Sequence, residues 1–312
     1  MARTFGPFEA TAGASPLRVA ETVWPVDSYR DRDGYDPGFI PGSAPLPLPG
    51  IGRWAGDVAL VDPGARQAGA PAHELRYTHF SVVMSRSRRL PLFSAVNIDG
   101  SLSDRDVPRA DTWRRDPRIE ADAQIIREVY GDGARGFFSR GHMTRREDPN
   151  WGDRATAERA DRDTFHVTNA APQQQNFNAG IWLELENYIL DNTDRENLRI
   201  SVITGPVLAA ADPLYYGVHI PVDFWKIAAF RHGQTGKLTA IGYRRSQSGF
   251  LPRPQRDRFV FADFDDTQVS IQAIELDAGI DLAAFKAIDV MRDAGPQFEI
   301  RISSASDLVL ER

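Results

Sequence analysis

Residues 77–97 read YTHFSVVMSRSRRLPLFSAVN, and this stretch decides the fold class. Tyr77–Met84 and Leu92–Asn97 are rich in β-branched and aromatic residues, which favour strands. The polar segment Ser85–Arg89 between them is short, so the two strands are predicted to form a hairpin. Strands joined by so short a turn run antiparallel.

The rest of the chain continues this pattern, with more strands than helices. The connections are too short for βαβ crossovers, so we predict an α+β fold with a central, mostly antiparallel sheet flanked by helices. Further strands are predicted at Leu198–Thr204, Ile220–Phe230, Lys237–Arg244, Phe259–Phe264 and Phe298–Ser303. Helices are predicted at Ile119–Tyr130, Asn178–Thr193 and Leu282–Met291, the last with Asp281 as N-cap.

Residues 1–75 differ from the rest because proline and glycine recur through them. Such density removes backbone donors and interrupts periodic elements. We therefore predict an irregular N-terminal arm over 1–75 that packs on a main domain over 76–312. Its predicted anchors are apolar and aromatic: Trp24, Tyr35, Phe39, Ile40 and Trp54.

Composition excludes several classes of protein. With 37 Lys and Arg against 43 Asp and Glu, the net charge of −6 argues against a uniformly basic nucleic-acid binder, but an enzyme needs only local contact. The chain has no cysteine, which excludes disulfides, thiolate catalysis and cysteine-ligated zinc. Met1–Pro25 has no apolar segment typical of a signal peptide, and no apolar run is long enough to span a membrane. We expect cytoplasmic residence or export by a non-classical route.

The chemistry centres on Ser139-Arg-Gly-His-Met143. An unperturbed histidine has a pKa of about 6.5, so His142 is suited to act as a general base near neutral pH. Arg140 carries a permanent positive charge, and its forked guanidinium group matches the geometry of a phosphate. Gly141 allows the backbone to approach closely.

A second group of polar residues lies on the predicted helix that begins at Asn178. Asn178, Trp182 and Glu186 are spaced i, i+4, i+8, which places the ends of the row about 12 Å apart. A metal ion and a water can fill that gap, whereas direct binding of one ion by both ends is disfavoured. Asn178 would contact Mg²⁺, which keeps most of its waters, and Glu186 would orient those waters. Together with His142, this arrangement suggests phosphodiester hydrolysis.

Each feature alone has a simpler explanation. An isolated Arg-Gly-His is usually a surface turn, an Asn before a helix is usually a cap, and Trp182 and Leu185 are typical of a core. The polar turn Asn169–Gln173 favours the functional interpretation, because it leads into the helix beside the His142 segment. A locally basic stretch also favours phosphate contact, although a salt-bridged face with Glu147, Asp148 and Asp153 is the alternative. Its arginines are Arg109, Arg114, Arg115, Arg118, Arg145, Arg146 and Arg154.

Taken together, these blocks resemble the DNA/RNA non-specific endonuclease family, the ββα-metal nucleases that include endonuclease G. Their order and spacing agree over roughly residues 75–280. The blocks are Ser139–Met143, Thr168–Gln173, Phe177-Asn178, Trp182 with Leu185-Glu186, Thr204–Pro206, Ile220-Pro221 and Phe224–Lys226.

The resemblance implies a ββα-metal motif and cleavage of both DNA and RNA through their phosphate backbones to 5′-phosphate ends. It makes His142 the general base, Asn178 the sole direct protein ligand of one Mg²⁺, and Glu186 part of the water shell. Arg140 would contact the phosphate or the leaving group, and Mn²⁺ would be a substitute metal. His166 is interpreted as structural. The sequence does not give the oligomeric state, and a homodimer is kept as an option.

The chain also departs from the family. Ser139 stands where the family usually has Asp, and the upstream arginine near Trp113 and Asp116-Pro117 does not align cleanly, so Arg114 is chosen over Arg109 as a catalytic candidate. Ser139 and the acidic charge motivate an alternative function, a catalytically silent module that binds nucleic acid or a protein partner. A third alternative, a different hydrolase using Asp263, Asp265 and Asp266, is weaker, because these residues read as a loop after a strand.

Overall fold

An antiparallel sheet of eight strands forms the centre of the computed structural model, which describes residues 23–130, 138–174, 197–233, 235–248 and 266–302, with Asp307 and Val309. The strands in these residues are β1 Leu75–Tyr77, β2 Phe80–Met84, β3 Pro91–Asp99, β4 Ser139–His142, β5 Ala170–Gln173, β6 Arg199–Pro206, β7 Leu214–Tyr215, β8 Val218–His219, β9 Asp223–Arg231, β10 Leu238–Ser246, β11 Asp266–Val269 and β12 Glu299–Arg301. The helices are α1 Arg154–Thr164, α2 Ile271–Ala278 and α3 Ala283–Lys286.

The central sheet has the order β1-β2-β3-β6-β9-β10-β11-β12, and every neighbouring pair is antiparallel. This confirms the predicted α+β class. The predicted hairpin is present as β2 and β3. Tyr77–Met84 is not one strand, however, because a turn at Thr78-His79 divides it into β1 and β2. His79 adopts a left-handed φ of 66°, which an alternation pattern does not reveal.

Both faces of the sheet are covered, so all nine residues of β3 are buried. Phe93 and Ala95 face one apolar cluster, which also contains Ile274 of α2 and Phe285 of α3. Val96 and Ile98 face the other cluster. Continuous burial on both faces produces a continuous apolar sequence in the central strand, as LFSAV in β3 shows.

The helices differ from the prediction. Ile119–Tyr130 contains only a 3-10 turn, Ala121–Ala123, because the Glu128 carboxylate binds the amides of Ile126 and Arg127, which a helix would use. The predicted helix Leu282–Met291 is limited to α3, and Asp281 still accepts a hydrogen bond from the Ala283 amide.

None of the described helices has the length and apolar character needed to cross a membrane. The predicted helix Asn178–Thr193 and strand Phe259–Phe264 lie outside the described residues.

The described part of the N-terminal arm, residues 23–74, contacts the rest of the chain through buried side chains. Arg32 forms an ion pair of 2.7 Å with Asp163, and both side chains are buried. The Tyr29 hydroxyl lies 2.7 Å from His166 Nε2. Trp54 donates from its indole nitrogen to the Ala278 carbonyl at 2.8 Å. The division of the chain at residue 75 stays a prediction.

Candidate functional site

A two-stranded ribbon, β4 and β5, carries the residues singled out by the sequence. The strands are antiparallel, with Ser139 opposite Gln173, Gly141 opposite Ala171 and His142 opposite Ala170. Residues 169–173 were predicted as a turn, but Ala170–Gln173 pairs directly with the histidine strand. Main-chain hydrogen bonds therefore hold the His142 segment and the Asn169–Gln173 segment side by side, and the sequence predicted that the two would be adjacent.

Asn169 fixes the backbone that follows His142, a role that the sequence did not reveal. Its carbonyl accepts from the Met143 amide at 2.9 Å, and its side-chain oxygen accepts from the Thr144 amide at 2.9 Å. Its side-chain nitrogen donates to the carbonyls of Thr144 and Thr164 at 2.9 and 3.0 Å. The Thr144 hydroxyl in turn binds Ser94 on β3. The histidine strand is therefore held against both the end of α1 and the central sheet.

The His142 ring lies between two aromatic side chains. The Trp113 ring centroid is 4.7 Å away at an interplanar angle of 45°, and that of Phe165 is 5.1 Å away at 89°. His142 Nε2 is buried and has no hydrogen-bond partner within the described residues. The aromatic contacts thus orient the ring.

This environment keeps the imidazole neutral. Burial, together with the positive charges of Arg109 and Arg146, lowers the pKa of His142 to about 3. Arg109 is paired with Asp111, and Arg146 with Asp161 at 2.8 Å, so both cations are held near the ring. A neutral imidazole keeps a nitrogen lone pair as a hydrogen-bond acceptor near pH 7.

Arg140 lies two residues before His142, on the same strand. Its guanidinium carbon is 4.5 Å from the Tyr130 ring centroid and 5.8 Å from that of Trp113. One terminal nitrogen donates to the Ile126 carbonyl at 2.6 Å, and Nε is buried without a partner within the described residues. Trp113 contacts both Arg140 and His142, so its ring lies between the positive guanidinium and the neutral imidazole.

Arg114, predicted as a catalytic candidate, does not contact the His142 ring within the described part of the chain. Its guanidinium carbon lies 4.1 Å from the Trp24 ring centroid, and its Nη1 donates to the Arg162 carbonyl at 3.3 Å. Arg109 instead lies 5.3 Å from the Phe165 ring, which itself contacts His142. Of these two upstream arginines, Arg109 is the one whose charge acts on His142.

The other arginines of the basic stretch are largely engaged in ion pairs. Arg118 binds Asp116 at 2.7 Å, and both side chains are buried. Arg145 and Arg146 both pair with Glu147, as the alternative of a salt-bridged face proposed. Arg154 pairs with Asp104 at 3.0 Å, whereas Asp153 caps α1 through its side chain. These pairs hold the segments around the ribbon together.

His166 is buried between the arm and the domain. Its Nδ1 lies 2.8 Å from the Asp163 carbonyl oxygen and its Nε2 lies 2.7 Å from the Tyr29 hydroxyl. Both ring nitrogens are therefore occupied by protein partners. This geometry agrees with the structural role predicted for His166.

The predicted metal-site residues, Asn178 and Glu186, lie outside the described residues, as does Trp182. No group of three or more His, Asp or Glu side chains that could hold a metal ion lies among the residues that are described. Ser139 is described, and its hydroxyl donates to the Gln173 carbonyl at 2.9 Å. That hydroxyl reinforces the ribbon.

Comparison with known proteins adds evidence of ancestry. An uncharacterized protein, y4fB, of Sinorhizobium fredii (strain NBRC 101917 / NGR234) is 38% identical over 246 residues, covering 77% of this chain and 36% of that protein. The mouse protein "Nuclease EXOG, mitochondrial" is 27% identical over 135 residues, covering 42% of this chain and 34% of that protein. The chain spans about a third of the length of the curated relatives that it matches.

The fold itself is also found among solved structures. In the crystal structure of the EndoG/EndoGI complex, one chain matches with a TM-score of 0.50 at 20% identity, covering 69% of this chain and 86% of that chain. Identity this low shows a likeness of fold alone. A family model described as DNA/RNA non-specific endonuclease matches residues 60–287, well over half of the sequence. The chain therefore belongs to the DNA/RNA non-specific endonuclease family.

Proposed function

We propose that this protein is a metal-dependent endonuclease that hydrolyses phosphodiester bonds of DNA and RNA without sequence preference and leaves 5′-phosphate ends. The observation that carries the proposal is the neutral His142 imidazole, whose buried Nε2 has no hydrogen-bond partner among the described residues. Arg140 on the same strand and Arg109 next to Phe165 place positive charge around it. A base beside fixed positive charge suits attack of water on a phosphodiester.

In this proposal His142 accepts the proton of the attacking water. General-base catalysis contributes about 10²- to 10⁴-fold to a rate. The nucleophile is water and not the sugar, so a 2′-hydroxyl is not needed, which accounts for action on both DNA and RNA. Contact with the phosphate backbone would provide affinity without reading the bases.

Asn178 would hold the metal ion and Glu186 would orient its waters. One observation supports the assignment: among the described residues, the buried His142 Nε2 has no hydrogen-bond partner, so no protein group there uses its lone pair. When bound, a hydrated divalent cation neutralises charge on the phosphate and lowers the pKa of water. Mg²⁺ accepts a single amide oxygen and retains most of its water shell, and Mn²⁺ would substitute for it.

Arg140 would bind the phosphate or the leaving oxygen, since its Nε has no partner within the described residues. Arg114 and Arg109 compete for the second arginine role. The contact of Arg109 with Phe165 supports Arg109, whereas the chain position near Trp113 motivated Arg114. Comparing Arg109→Ala with Arg114→Ala decides between them, because only the phosphate-binding arginine would lower kcat/KM while the free energy of unfolding stays unchanged.

The direct test incubates purified protein with supercoiled plasmid and with RNA, with Mg²⁺ and with EDTA. We expect both substrates to be cut, EDTA to stop cleavage, and the new ends to be labelled by polynucleotide kinase only after phosphatase treatment. Metal binding is measured separately by calorimetry, in which Asn178→Ala is expected to lose Mg²⁺ affinity. Salt-sensitive DNA binding without cleavage in any divalent metal would contradict the proposal and support the catalytically silent module.

A further inference from the structure

A small hairpin, β7 and β8, projects from the fold outside the central sheet. Leu214 pairs with His219 and Tyr215 with Val218, which leaves a two-residue turn at Tyr216-Gly217. Both turn residues have positive φ, 48° for Tyr216 and 77° for Gly217. Such turns favour Asn, Asp or Gly at the first position, so a tyrosine there is strained. A strained bulky residue points to a role beyond making the turn.

The hairpin has one buried side and one exposed side. Val218 is buried in the core, and the Tyr215 ring packs against Phe138 at a centroid distance of 5.8 Å. On the other side, Leu214 is 61% exposed and Tyr216 is 64% exposed. Leu214 and Tyr216 therefore present exposed apolar surface on the same side of the hairpin, and exposed apolar surface of this kind can contact a ligand.

The buried side places the hairpin next to the candidate active site. Phe138, which contacts Tyr215, immediately precedes β4. His142 is four residues further along the same extended segment, which corresponds to about 13 Å at the rise of a strand.

Aromatic and basic side chains lie between the two places. The backbone of Phe138 forms an isolated β-bridge with that of Tyr130, and the Tyr130 ring lies 4.5 Å from the Arg140 guanidinium carbon. The Arg140 guanidinium also lies near the Trp113 ring. The Trp113 ring centroid in turn lies 4.7 Å from that of His142. Aromatic rings alternating with positive charge are the usual means of binding an unpaired nucleic-acid strand.

We propose that the exposed side of the β7–β8 hairpin binds an unpaired nucleotide of the substrate, with its base stacked on Tyr216 against Leu214, while the phosphate several nucleotides away lies at His142. The inference rests on the proposed function. It adds a binding position outside the catalytic residues. Stacking of a base on an aromatic ring is independent of base identity, which agrees with action on any sequence.

The test uses Tyr216→Asn, which removes the ring and relieves the strain, since asparagine tolerates positive φ. Tyr216→Trp retains a stacking surface, and Leu276→Asn is the matched control, because Leu276 is also exposed at 60% but lies on α2.

Binding of a labelled single-stranded oligonucleotide is measured in the His142→Ala background, which prevents cleavage. The same strand carrying abasic sites serves as the probe without bases. KM and kcat for single-stranded DNA are then measured with His142 intact.

We expect Tyr216→Asn to bind the normal strand about tenfold more weakly and the abasic strand as well as the parent protein does. KM should rise about tenfold with kcat unchanged, as for a uniformly bound contact. Tyr216→Trp and Leu276→Asn should match the parent. The thermal midpoint of Tyr216→Asn should not fall.

Unchanged KM in Tyr216→Asn, with normal cleavage by the wild type, would overturn the hairpin proposal and leave the nuclease proposal standing. A change of Tyr216→Asn in sedimentation from dimer to monomer with unchanged KM would likewise overturn it, in favour of self-association. Wild-type protein that neither binds nor cuts any nucleic acid would overturn both proposals.

Discussion

The chemistry proposed at His142 depends on what its ring contacts. Trp113 lies against the imidazole at 4.7 Å and also approaches Arg140 at 5.8 Å, so one side chain positions both proposed functional groups. Phe165 completes the enclosure from the other side. Burial by these rings and repulsion from Arg109 and Arg146 act together to keep the ring uncharged. A general base needs this state at neutral pH.

Trp113→Ala is expected to lower kcat by about 10²-fold, because small misplacement of a catalytic group has effects of that size. Trp113→Phe retains a flat ring and should stay within a few-fold of wild type. Both variants should remain folded by circular dichroism, since Trp113 is only half-buried. Equal loss of activity in Ala and Phe, or no loss in either, would argue against a positioning role.

At the scale of elements, the β4–β5 ribbon determines which groups face each other. A Cβ atom at residue 141 would overlap the side-chain amide of Gln173. Gln173 is buried, so its side chain has little room to move. The glycine in the Ser-Arg-Gly-His motif is therefore required by the close approach of the opposite strand, independently of any ligand.

Gly141→Ala should lower the free energy of unfolding by roughly 1–3 kcal/mol, as overpacking typically does. The double variant Gly141→Ala with Gln173→Ala should recover most of this loss, because the obstructing side chain is gone. Urea unfolding of the two single variants and the double variant measures the coupling. If the losses in free energy of unfolding of the two single variants simply added in the double variant, the overlap between residue 141 and Gln173 would not be the cause.

The sequence predicted strands correctly where a single hydrophobic pattern ran through the whole element. The apolar runs of β3, β6, β9 and β10 were recognisable because both faces of the sheet are buried. By contrast, α1 reads RATAERADRDT, in which the buried positions are small or acidic, so it shows no apolar stripe.

At the site, Arg140 and His142 were identified from their motif, because a short motif keeps its residues together on one strand. The contacts of Trp113, Phe165 and Asn169 depend on tertiary packing between distant segments. No local spacing encodes such contacts. The sequence therefore located the proposed reactive groups but not the residues that contact them.

Across the whole molecule, the described arm residues are part of the packed structure. Arg32 lies between the arm and α1, where its ion pair with Asp163 has both side chains buried. Asp163 also accepts hydrogen bonds from the Thr78 amide and hydroxyl. This places arm, sheet and helix around one buried carboxylate.

Arg32→Ala should lower the free energy of unfolding by about 3–5 kcal/mol, because it leaves the Asp163 carboxylate buried without its cation. Arg30→Ala is the matched control, since the Arg30–Asp27 pair is exposed and such pairs contribute about 0–1 kcal/mol. Chemical denaturation compares the two. Equal stability of both variants would show that the arm is not coupled to the domain.

Stability should also depend on pH through the buried histidines. Burial lowers the pKa of His142 to about 3 and of His166 to about 4, below the unfolded value of 6.5. The unfolded chain therefore binds more protons below pH 6.5, so stability is complete above that pH and falls as the pH drops towards 4. For His166 alone the loss is roughly 2 kcal/mol at pH 5. Urea unfolding at several pH values should show this slope, and His166→Gln should make it shallower by the share of His166 while that of His142 remains.

The central claim is that His142 is the base that activates water. Its most direct test is the single-turnover cleavage rate of a labelled oligonucleotide by wild type and by His142→Ala, with Mg²⁺ present and enzyme in excess. We predict a rate about 10²- to 10⁴-fold lower in the variant, with substrate affinity and thermal stability unchanged. A variant that cleaves within a few-fold of the wild-type rate would contradict the claim.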